Sequence, residues 1–511
     1  MKNMKTLLAL VVALVLCLGT VGASACTAIY VGSELTADGS TMFARSEDIS
    51  NSYHKVVYVA PAGLHKAGDV YQGCNGFTYT ITKDSYGYTA FSDDNLSGFC
   101  PDCGGTHAHT PYQAGGTNEM GLSVSATETL SGGSKAVKAV DPFNKQTGIE
   151  EAEIPTVLLS ECATAKEAVD LLTSIYDTVG AQGGSGIFIA DHNETWYVEN
   201  VPGTQYSALK LSESVAFAVP NQSAIGLIDL DDENVVASAN LIAVAKEAGS
   251  YVGDEAANTI DYIASYLPDQ QANSRYMSAL SHFDPAFAKA AEEVTSADYA
   301  ISNVDAQGNV VPFYTNISVN RAFTVADIVG YYDIPGIGST GNLEIHIFQT
   351  WAEDSATDTM EWVAMDNGCW NVFVPYYPML TTGVYAAYKT TTATAQFVQE
   401  QPAEGLYYAT TGRVRDAEGN RVTVEGFKVL PANWADSMYW TFDALSNLCE
   451  FAGVSDEQKA AVEAELAVLQ QAAYDAAEAM KADPAAATTI SMETAQAVHQ
   501  KVVEMVNGLA Q

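Results

Sequence analysis

The sequence has 511 residues, and its acidic side chains greatly outnumber its basic ones. There are 62 aspartates and glutamates against 23 lysines and arginines, and 48% of the residues are hydrophobic. This hydrophobic content predicts a globular protein with a large core. A surface this negative repels phosphate backbones and anionic lipid, which argues against nucleic-acid binding. Beyond residue 25, no apolar run approaches the ~20 residues of a membrane-spanning helix.

The first 25 residues have the pattern of a signal peptide. Two lysines precede an apolar run from Leu7 to Leu18, and the small-residue cleavage signal Ala23-Ser24-Ala25 follows. We therefore expect the protein to be secreted, with a mature chain that begins at Cys26.

A cysteine at the first position carries a thiol and a free α-amine on one residue. The amine titrates near pH ~8 and the thiol near ~8.5, so each group can be tuned to serve the other. This is the equipment of an N-terminal-nucleophile (Ntn) hydrolase, in which a thiolate attacks a carbonyl and the amine moves the proton. Cys26 is thus the candidate nucleophile.

Other roles for Cys26 stay open on the sequence alone. It can be a lipoprotein anchor, although Ala23 stands where the lipid-attachment pattern prefers Leu or another large aliphatic residue. It can also be half of a disulfide or an ordinary buried cysteine. Cys17 lies in the leader, so seven of the eight cysteines follow it, and an odd number leaves at least one thiol unpaired.

A second group of cysteines lies in a polar, glycine-rich stretch. Cys100 and Cys103, with His107 and His109 nearby, resemble half of a zinc site. The second ligand pair follows too closely for the usual structural site. A local disulfide or a redox-sensitive loop is the alternative, and we predict neither a bound metal nor a cofactor.

The chain opens with a predicted β-hairpin. Residues 26–31 and 41–45 have β-branched and aromatic character, and Asp38-Gly39 supplies the turn. Further strands are predicted at 55–60, 121–127, 186–190, 195–199, 215–219, 343–349, 361–365 and 371–375. Helical spacing marks 164–176 and 235–248, and 85–112 is predicted to be a long surface loop.

The C-terminal residues differ in character. Ser455 is placed to cap a helix that ends before Asp483-Pro484, and a second helix is predicted over 492–509. We expect these helices to pack on the main body or on a second subunit, so a homo-oligomer is possible. The predicted segments are a signal peptide over 1–25, a main domain over 26–453 and a helical tail over 454–511.

Two charged residues follow Cys26 at short spacing. Arg45 and Asp48 lie at the end of the second hairpin strand, which brings them back beside the start of the first. A guanidinium near a thiol favours the thiolate, and a carboxylate can orient the α-amine. Taken alone, this Arg-x-x-Asp pair is equally typical of a protein surface.

Together these motifs resemble a known family. The opening Cys-Thr-Ala-Ile-Tyr-Val-Gly, then Asp-Gly-Ser-Thr-Met-Phe-Ala-Arg-Ser-Glu-Asp, is similar to the dipeptidase branch of the cysteine Ntn-hydrolases, related to secernins and more distantly to penicillin V acylase and bile salt hydrolase. Weaker matches follow in the same order: Thr117-Asn118-Glu119-Met120-Gly121-Leu122, Thr195-Trp196-Tyr197-Val198-Glu199, Pro220-Asn221-Gln222 and Asn273-Ser274-Arg275-Tyr276.

The resemblance implies an α+β fold, a four-layer αββα sandwich, and hydrolysis of a dipeptide amide bond. It implies that Cys26 is the nucleophile, that Arg45 and Asp48 set its ionisation, that Asn221 donates to the oxyanion, and that Arg275 supports the site. Asn221 and Arg275 also fit a turn residue and a surface arginine.

The sequence departs from the acylase relatives at one position. Glu128 stands about where they have an asparagine, which argues against acylase-type recognition. Glu128, like Glu47 or Glu199, is a candidate for holding the free amine of a short peptide. An N-acyl amidohydrolase and an inert lipid-anchored surface protein are the alternative functions.

Overall fold

The computed structural model describes most of the chain that follows residue 25. The described residues are 26–48, 54–73, 76–94, 112–130, 133–268, 270, 273–283, 312–313, 315–317, 321–390, 395–415, 419–451 and 453–510, without the side chains at 128–130, 413 and 421. The predicted signal peptide and the Cys100/Cys103 stretch lie outside these residues. The predicted division into three segments stays a prediction.

Within the described residues the strands, in chain order, are β1 (Thr27–Val31), β2 (Thr41–Asp48), β3 (Lys55–Ala60), β4 (Val70–Gln72), β5 (Thr78–Thr80), β6 (Tyr88–Asp93), β7 (Gln113–Thr117), β8 (Ser123–Leu130), β9 (Gly184–Ala190), β10 (Thr195–Asn200), β11 (Tyr206–Lys210), β12 (Ala216–Val219), β13 (Leu227–Asp229), β14 (Val235–Ala237), β15 (Thr259–Asp261), β16 (Asn342–Thr350), β17 (Thr359–Met365), β18 (Val374–Tyr376), β19 (Gln396–Val398), β20 (Tyr407–Arg415) and β21 (Arg421–Val429). The α-helices are α1 (Lys135–Val140), α2 (Ile154–Glu161), α3 (Ala165–Thr178), α4 (Leu241–Glu247), α5 (Tyr262–Tyr266), α6 (Ser274–Phe283), α7 (Val325–Tyr332), α8 (Met438–Phe451), α9 (Asp456–Ala482) and α10 (Ala487–Leu509).

Two antiparallel sheets form the centre of the molecule. The first has the order β12-β1-β2-β16-β17-β18, and the second has the order β14-β11-β10-β9-β8-β7-β6-β3. Aromatic rings join their inner faces: Phe43 stacks on Phe188 at 5.5 Å and Phe91 on His346 at 4.9 Å between ring centroids. The sheets therefore pack face to face around a shared core.

Helices cover the outer face of each sheet. Helices α2 and α3 pack on the second sheet with Val124, Ile187 and Ile189. On the first sheet, α6, α7 and part of α9 cover Ile29 and Ile345. This arrangement is a four-layer αββα sandwich, and it confirms the predicted α+β fold.

The hairpin of β1 and β2 positions Cys26. The two strands pair antiparallel, with Ala28 opposite Arg45 and Thr27 opposite Ser46. Gly39 in the connection has φ +71°, a left-handed conformation that favours glycine. Because side chains alternate along a strand, Ala28 and Tyr30 join the core between the sheets, whereas Ile29 and Val31 join the outer layer.

Three sequence predictions were wrong in part. The predicted loop 85–112 contains strand β6, which fills the inner layer between β7 and β3. The predicted helix 235–248 begins as strand β14 at the edge of the second sheet, and its helix starts only at Leu241. The strand predicted at 371–375 begins only at Val374, as β18, because a short 3₁₀ turn at Gly368–Trp370 precedes it.

The two C-terminal helices pack on the main body. Ser455 caps α9: its hydroxyl accepts from the Gln458 backbone N–H, and its own backbone N–H donates to the Gln458 side chain. The helix ends at Ala482, before Asp483-Pro484. The apolar face of α10, including Val498 and Val502, joins the core that also holds α8. Among the described residues, no helix is long and apolar enough to cross a membrane.

Candidate active site

Cys26 lies at the beginning of β1 with its thiol close to the inner layer. The residue is 8% exposed, and the thiol is free of any disulfide. Extending the register of β1 and β2 by one residue places Glu47 opposite Cys26, whereas β12 ends at Val219, two residues before Asn221. Residues opposite each other in a sheet point to the same face, so the thiol and the Glu47 side chain share the inner face.

Arg45 makes the direct contact to the thiol. Its Nη2 lies 3.2 Å from Cys26 Sγ, and its Nη1 donates to the carbonyl of Ala114 on the facing sheet at 3.4 Å. The guanidinium is fully buried, so its charge acts on the sulfur through a medium of low dielectric constant. The structure thus brings together the two residues that the sequence spacing paired.

Tyr112 and Glu151 complete the surroundings of Arg45. Nη2 of Arg45 also lies 3.0 Å from Tyr112 Oη and contacts Glu151 Oε1, and Tyr112 in turn donates to that carboxylate. Sequence analysis missed both residues, because they lie 67 and 106 positions from Arg45 in the chain. No local sequence pattern predicts contacts between residues so far apart in the chain.

A second buried ion cluster lies beside the thiol. Nζ of Lys55, itself fully buried, is 2.6 Å from Glu47 and 2.5 Å from Asp93, and it lies over the Tyr112 ring at 4.4 Å. Burial raises the pKa of Glu47 to about 8, although Lys55 and Arg45 both act to lower it. Lys55 is therefore within ion-pair distance of both Glu47 and Asp93.

On the other face of the sheet, Arg275 contacts both the Cys26 backbone and Asp48. Arg275 Nη1 lies 3.2 Å from Asp48 Oδ2, 3.0 Å from Thr27 Oγ1 and 3.4 Å from the Cys26 carbonyl oxygen. Asn342 donates to the other Asp48 oxygen at 2.5 Å. The alternation along β2 places Arg45 and Asp48 on opposite faces of the sheet, with Arg45 at the thiol.

Asn221 follows β12 in an unusual conformation. Its φ of +61° places it in the left-handed region, which asparagine tolerates better than most residues. The side-chain amide of Asn273 holds the adjacent backbone by donating to the Pro220 carbonyl oxygen. This turn follows the end of β12, the strand that pairs with β1.

The three glutamates considered for substrate binding have different positions. Glu47 lies beside the thiol, and Glu128 is in β8 with its side chain outside the described residues. Glu199 is fully buried and is engaged by Ser223, the Ala224 amide and Tyr197, so its carboxylate has a structural role. No group of metal-ligating side chains is found within the described ranges.

The thiol is not ionised by its surroundings alone. Burial raises the pKa of Cys26 to about 11, and Glu151, Asp48 and Glu47 add to the effect, whereas Arg45 acts in the opposite direction. With Cys26 linked to Ala25, its nitrogen is a neutral amide. Cleavage of the predicted signal peptide after Ala25 would create an α-amine at this point, and its positive form would favour the thiolate.

An αββα sandwich with a buried cysteine at the start of a central strand, beside an arginine, has the architecture of an Ntn-hydrolase. The family follows from the sequence: the model of peptidase family C69 matches residues 25–401, and the chain belongs to that family.

Several relatives carry dipeptidase names. The chain is 34% identical over 265 residues to "Probable dipeptidase B" of Streptococcus pyogenes serotype M1, covering 51% of this chain and 50% of that protein. It is 34% identical over 259 residues to "Probable dipeptidase" of Salmonella dublin, covering 49% and 55%. It is 29% identical over 220 residues to "Dipeptidase" of Bifidobacterium longum, covering 41% and 39%.

The chain thus spans about half the length of the relatives that it matches. Among solved structures, it is similar to a mutant conjugated bile acid hydrolase from Clostridium perfringens, with 12% identity and a TM-score of 0.31, over 69% of this chain and 96% of that one.

Proposed function

We propose that this protein is an exported cysteine dipeptidase whose nucleophile is Cys26 at the N-terminus of the mature chain. The contact of Arg45 Nη2 with Cys26 Sγ at 3.2 Å is the observation that carries the proposal. A buried guanidinium in this position stabilises a thiolate. Membership of family C69 and the dipeptidase names of the relatives support a short peptide as the substrate.

The proposed reaction proceeds through an acyl-enzyme. The Cys26 α-amine takes the thiol proton, and Sγ attacks the carbonyl carbon of the peptide bond. The same amine then protonates the leaving amine, and the C–N bond breaks. Water hydrolyses the thioester, releases the first amino acid and restores the thiol, so no cofactor is required.

Three further residues have proposed roles. Asn221, in the turn after the strand β12 that pairs with β1, would donate its amide N–H to the oxyanion, and one such donor is typically worth ~10²–10³ in rate. Asp48 would orient the α-amine from the other face of the sheet. Arg275 would hold Asp48 and the Cys26 carbonyl oxygen in place, because it contacts both.

The proposal predicts that Cys26→Ala abolishes turnover without unfolding the protein. The matched control is Cys369→Ala, which removes a free thiol at the 3₁₀ turn before β18. Both variants and the wild type, each prepared with the mature N-terminus, would be assayed against alanyl-alanine, a glycine-conjugated bile salt and penicillin V. Circular dichroism would check the fold.

We expect the wild type and Cys369→Ala to cleave the dipeptide and Cys26→Ala to cleave nothing. Clear residual dipeptide cleavage by Cys26→Ala, above a blank preparation, would eliminate the assigned nucleophile. Faster cleavage of a conjugated amide than of the dipeptide would replace the substrate class with N-acyl amides while leaving the nucleophile in place.

A further inference from the structure

Glu151 and the Cys26 thiol share one nitrogen of Arg45. Nη2 of Arg45 has three acceptors around it: Cys26 Sγ, Tyr112 Oη and Glu151 Oε1. A guanidinium Nη carries only two N–H bonds, so these acceptors compete. The carboxylate is the strongest of the three, because charge-assisted hydrogen bonds are the shorter and stronger ones. The sulfur is therefore at a disadvantage while Glu151 holds Arg45.

Glu151 is near enough to the thiol for the amine of a bound dipeptide to reach it. An attacking sulfur stands about 3–3.5 Å from the carbonyl carbon, and the α-nitrogen of the first residue is about 2.5 Å from that carbon. The substrate ammonium group is then within about 6 Å of Sγ. Glu151 Oε1 contacts the same Arg45 nitrogen that lies 3.2 Å from Sγ, so this carboxylate is also within about 6 Å of the sulfur.

The carboxyl groups around the thiol can accommodate an incoming cation. On the inner face, Arg45 and Lys55 stand against Glu47, Glu151 and Asp93. The neighbouring Glu344 is paired with His346 at 2.9 Å, and Asp48 is paired with Arg275 on the other face. Burial raises the pKa of Glu47 to about 8, so near neutral pH Glu47 is largely protonated, and Glu151 and Asp93 balance the two inner cations. An incoming ammonium group would favour the ionised form of Glu47, which would then balance its charge.

We propose that Glu151 binds the α-ammonium group of the dipeptide and that this contact releases an N–H of Arg45 to the Cys26 sulfur. The inference rests on the proposed dipeptidase function and assigns its substrate selectivity to one residue. A peptide with a blocked or missing amine leaves Arg45 shared with Glu151, so its hydrogen bond to the sulfur stays weak. Recognition of the free amine and activation of the nucleophile are then one event.

The first test measures binding, so that it does not depend on turnover. In a mature Cys26→Ala background, calorimetry compares alanyl-alanine with propanoyl-alanine, which lacks only the ammonium group. We expect the dipeptide to bind at least tenfold more tightly, and we expect Glu151→Gln to bring the two affinities within about twofold. Equal affinities before the change, binding of neither peptide, or an unchanged ratio after it would overturn the inference.

The second test uses the chain with Cys26 intact. Glu151→Gln should raise KM for alanyl-alanine at least tenfold and should speed alkylation of Cys26 by iodoacetamide in the absence of substrate. Alaninamide should speed that alkylation in the wild type and not in Glu151→Gln. A lower kcat at unchanged KM, with no change in alkylation, would mean that Glu151 only positions Arg45.

Two further variants act as controls. Tyr112→Phe removes one acceptor of Nη2 without changing charge, and it should keep the preference for the free amine. Glu151→Asp withdraws the carboxylate by one methylene, and it should weaken the preference without abolishing it, even if Glu151→Gln does not fold. If the wild type leaves alanyl-alanine intact, the dipeptidase proposal fails by itself, and the binding ratio still reports on Glu151.

Discussion

At the start of β1, the surroundings of the Cys26 thiol keep it protonated. Burial and three carboxylates raise its pKa to about 11, and the opposite effect of Arg45 is smaller. The sequence correctly paired Cys26 with Arg45, because both positions belong to one hairpin and the strand register is local information. Tyr112 and Glu151 come from distant segments, and only the packing of the two sheets brings them to the site.

The free α-amine should be what makes the thiol reactive. A mature chain that starts at Cys26 carries an ammonium group beside Sγ, which favours the thiolate, whereas a chain with one extra residue before Cys26 has a neutral amide there. We predict that the rate of Cys26 alkylation by iodoacetamide rises with pH and that, in the extended chain, the midpoint of this rise is at pH about 11. The midpoint should be at least one pH unit lower in the mature chain.

Subtracting the alkylation of the matching Cys26→Ala chain removes the contribution of the other thiols. Identical midpoints for the mature and extended chains would show that the amine does not influence the sulfur.

At the scale of elements, helices whose caps depend on nearby residues were predicted well, whereas strands that depend on their neighbours in a sheet were not. The capped helices α3 and α9 follow from residues within one turn, since Thr164 accepts from the Glu167 amide and Ser455 accepts from the Gln458 amide. Strand β6 was not predicted, because its residues are also typical of a polar loop. Its identity depends on neighbours β3 and β7, which no local pattern specifies.

The N-terminal cap of α9 should contribute measurably to the free energy of unfolding. Ser455→Ala removes the acceptor for the Gln458 amide and should lower the free energy of unfolding by about 1 kcal/mol. Thr494→Ala in the middle of α10 is the control, because its hydroxyl bonds only to the preceding helical turn and should change stability little. Urea denaturation measures both, and equal losses would contradict the assigned cap.

At the scale of the whole molecule, some of the large negative charge is buried. Asp366 follows β17 and is fully buried, and burial together with the nearby Asp443 raises its pKa well above the ordinary value. Asp443 itself is held by Lys428 at 2.7 Å and by Tyr408 at 2.9 Å. Composition gave the net charge of the chain, but only the fold shows which carboxylates oppose one another in the core.

Asp366→Asn should therefore stabilise the protein at neutral pH. An unfolded Asp366 loses its proton near pH ~4, whereas the folded one keeps it to higher pH, so the free energy of unfolding falls as pH rises between the two values. Asparagine removes this loss, and it also suits the φ of +69° at this position. We expect a gain of about 1 kcal/mol or more at pH 7.5.

The gain from Asp366→Asn should shrink towards pH 4. Urea denaturation at several pH values tests this, with Asp443→Asn as the comparison that should destabilise, because it breaks the contact with Lys428. A gain that does not depend on pH would show that Asp366 does not titrate in this way.

The intact mass and N-terminal sequence of the exported protein test the role of Cys26 most directly. We predict a chain that begins at unmodified Cys26, with thiol and α-amine both free. A diacylglyceryl adduct on Cys26, or a chain that begins upstream of it, would contradict the amine-assisted mechanism and favour a lipid-anchored or non-catalytic protein.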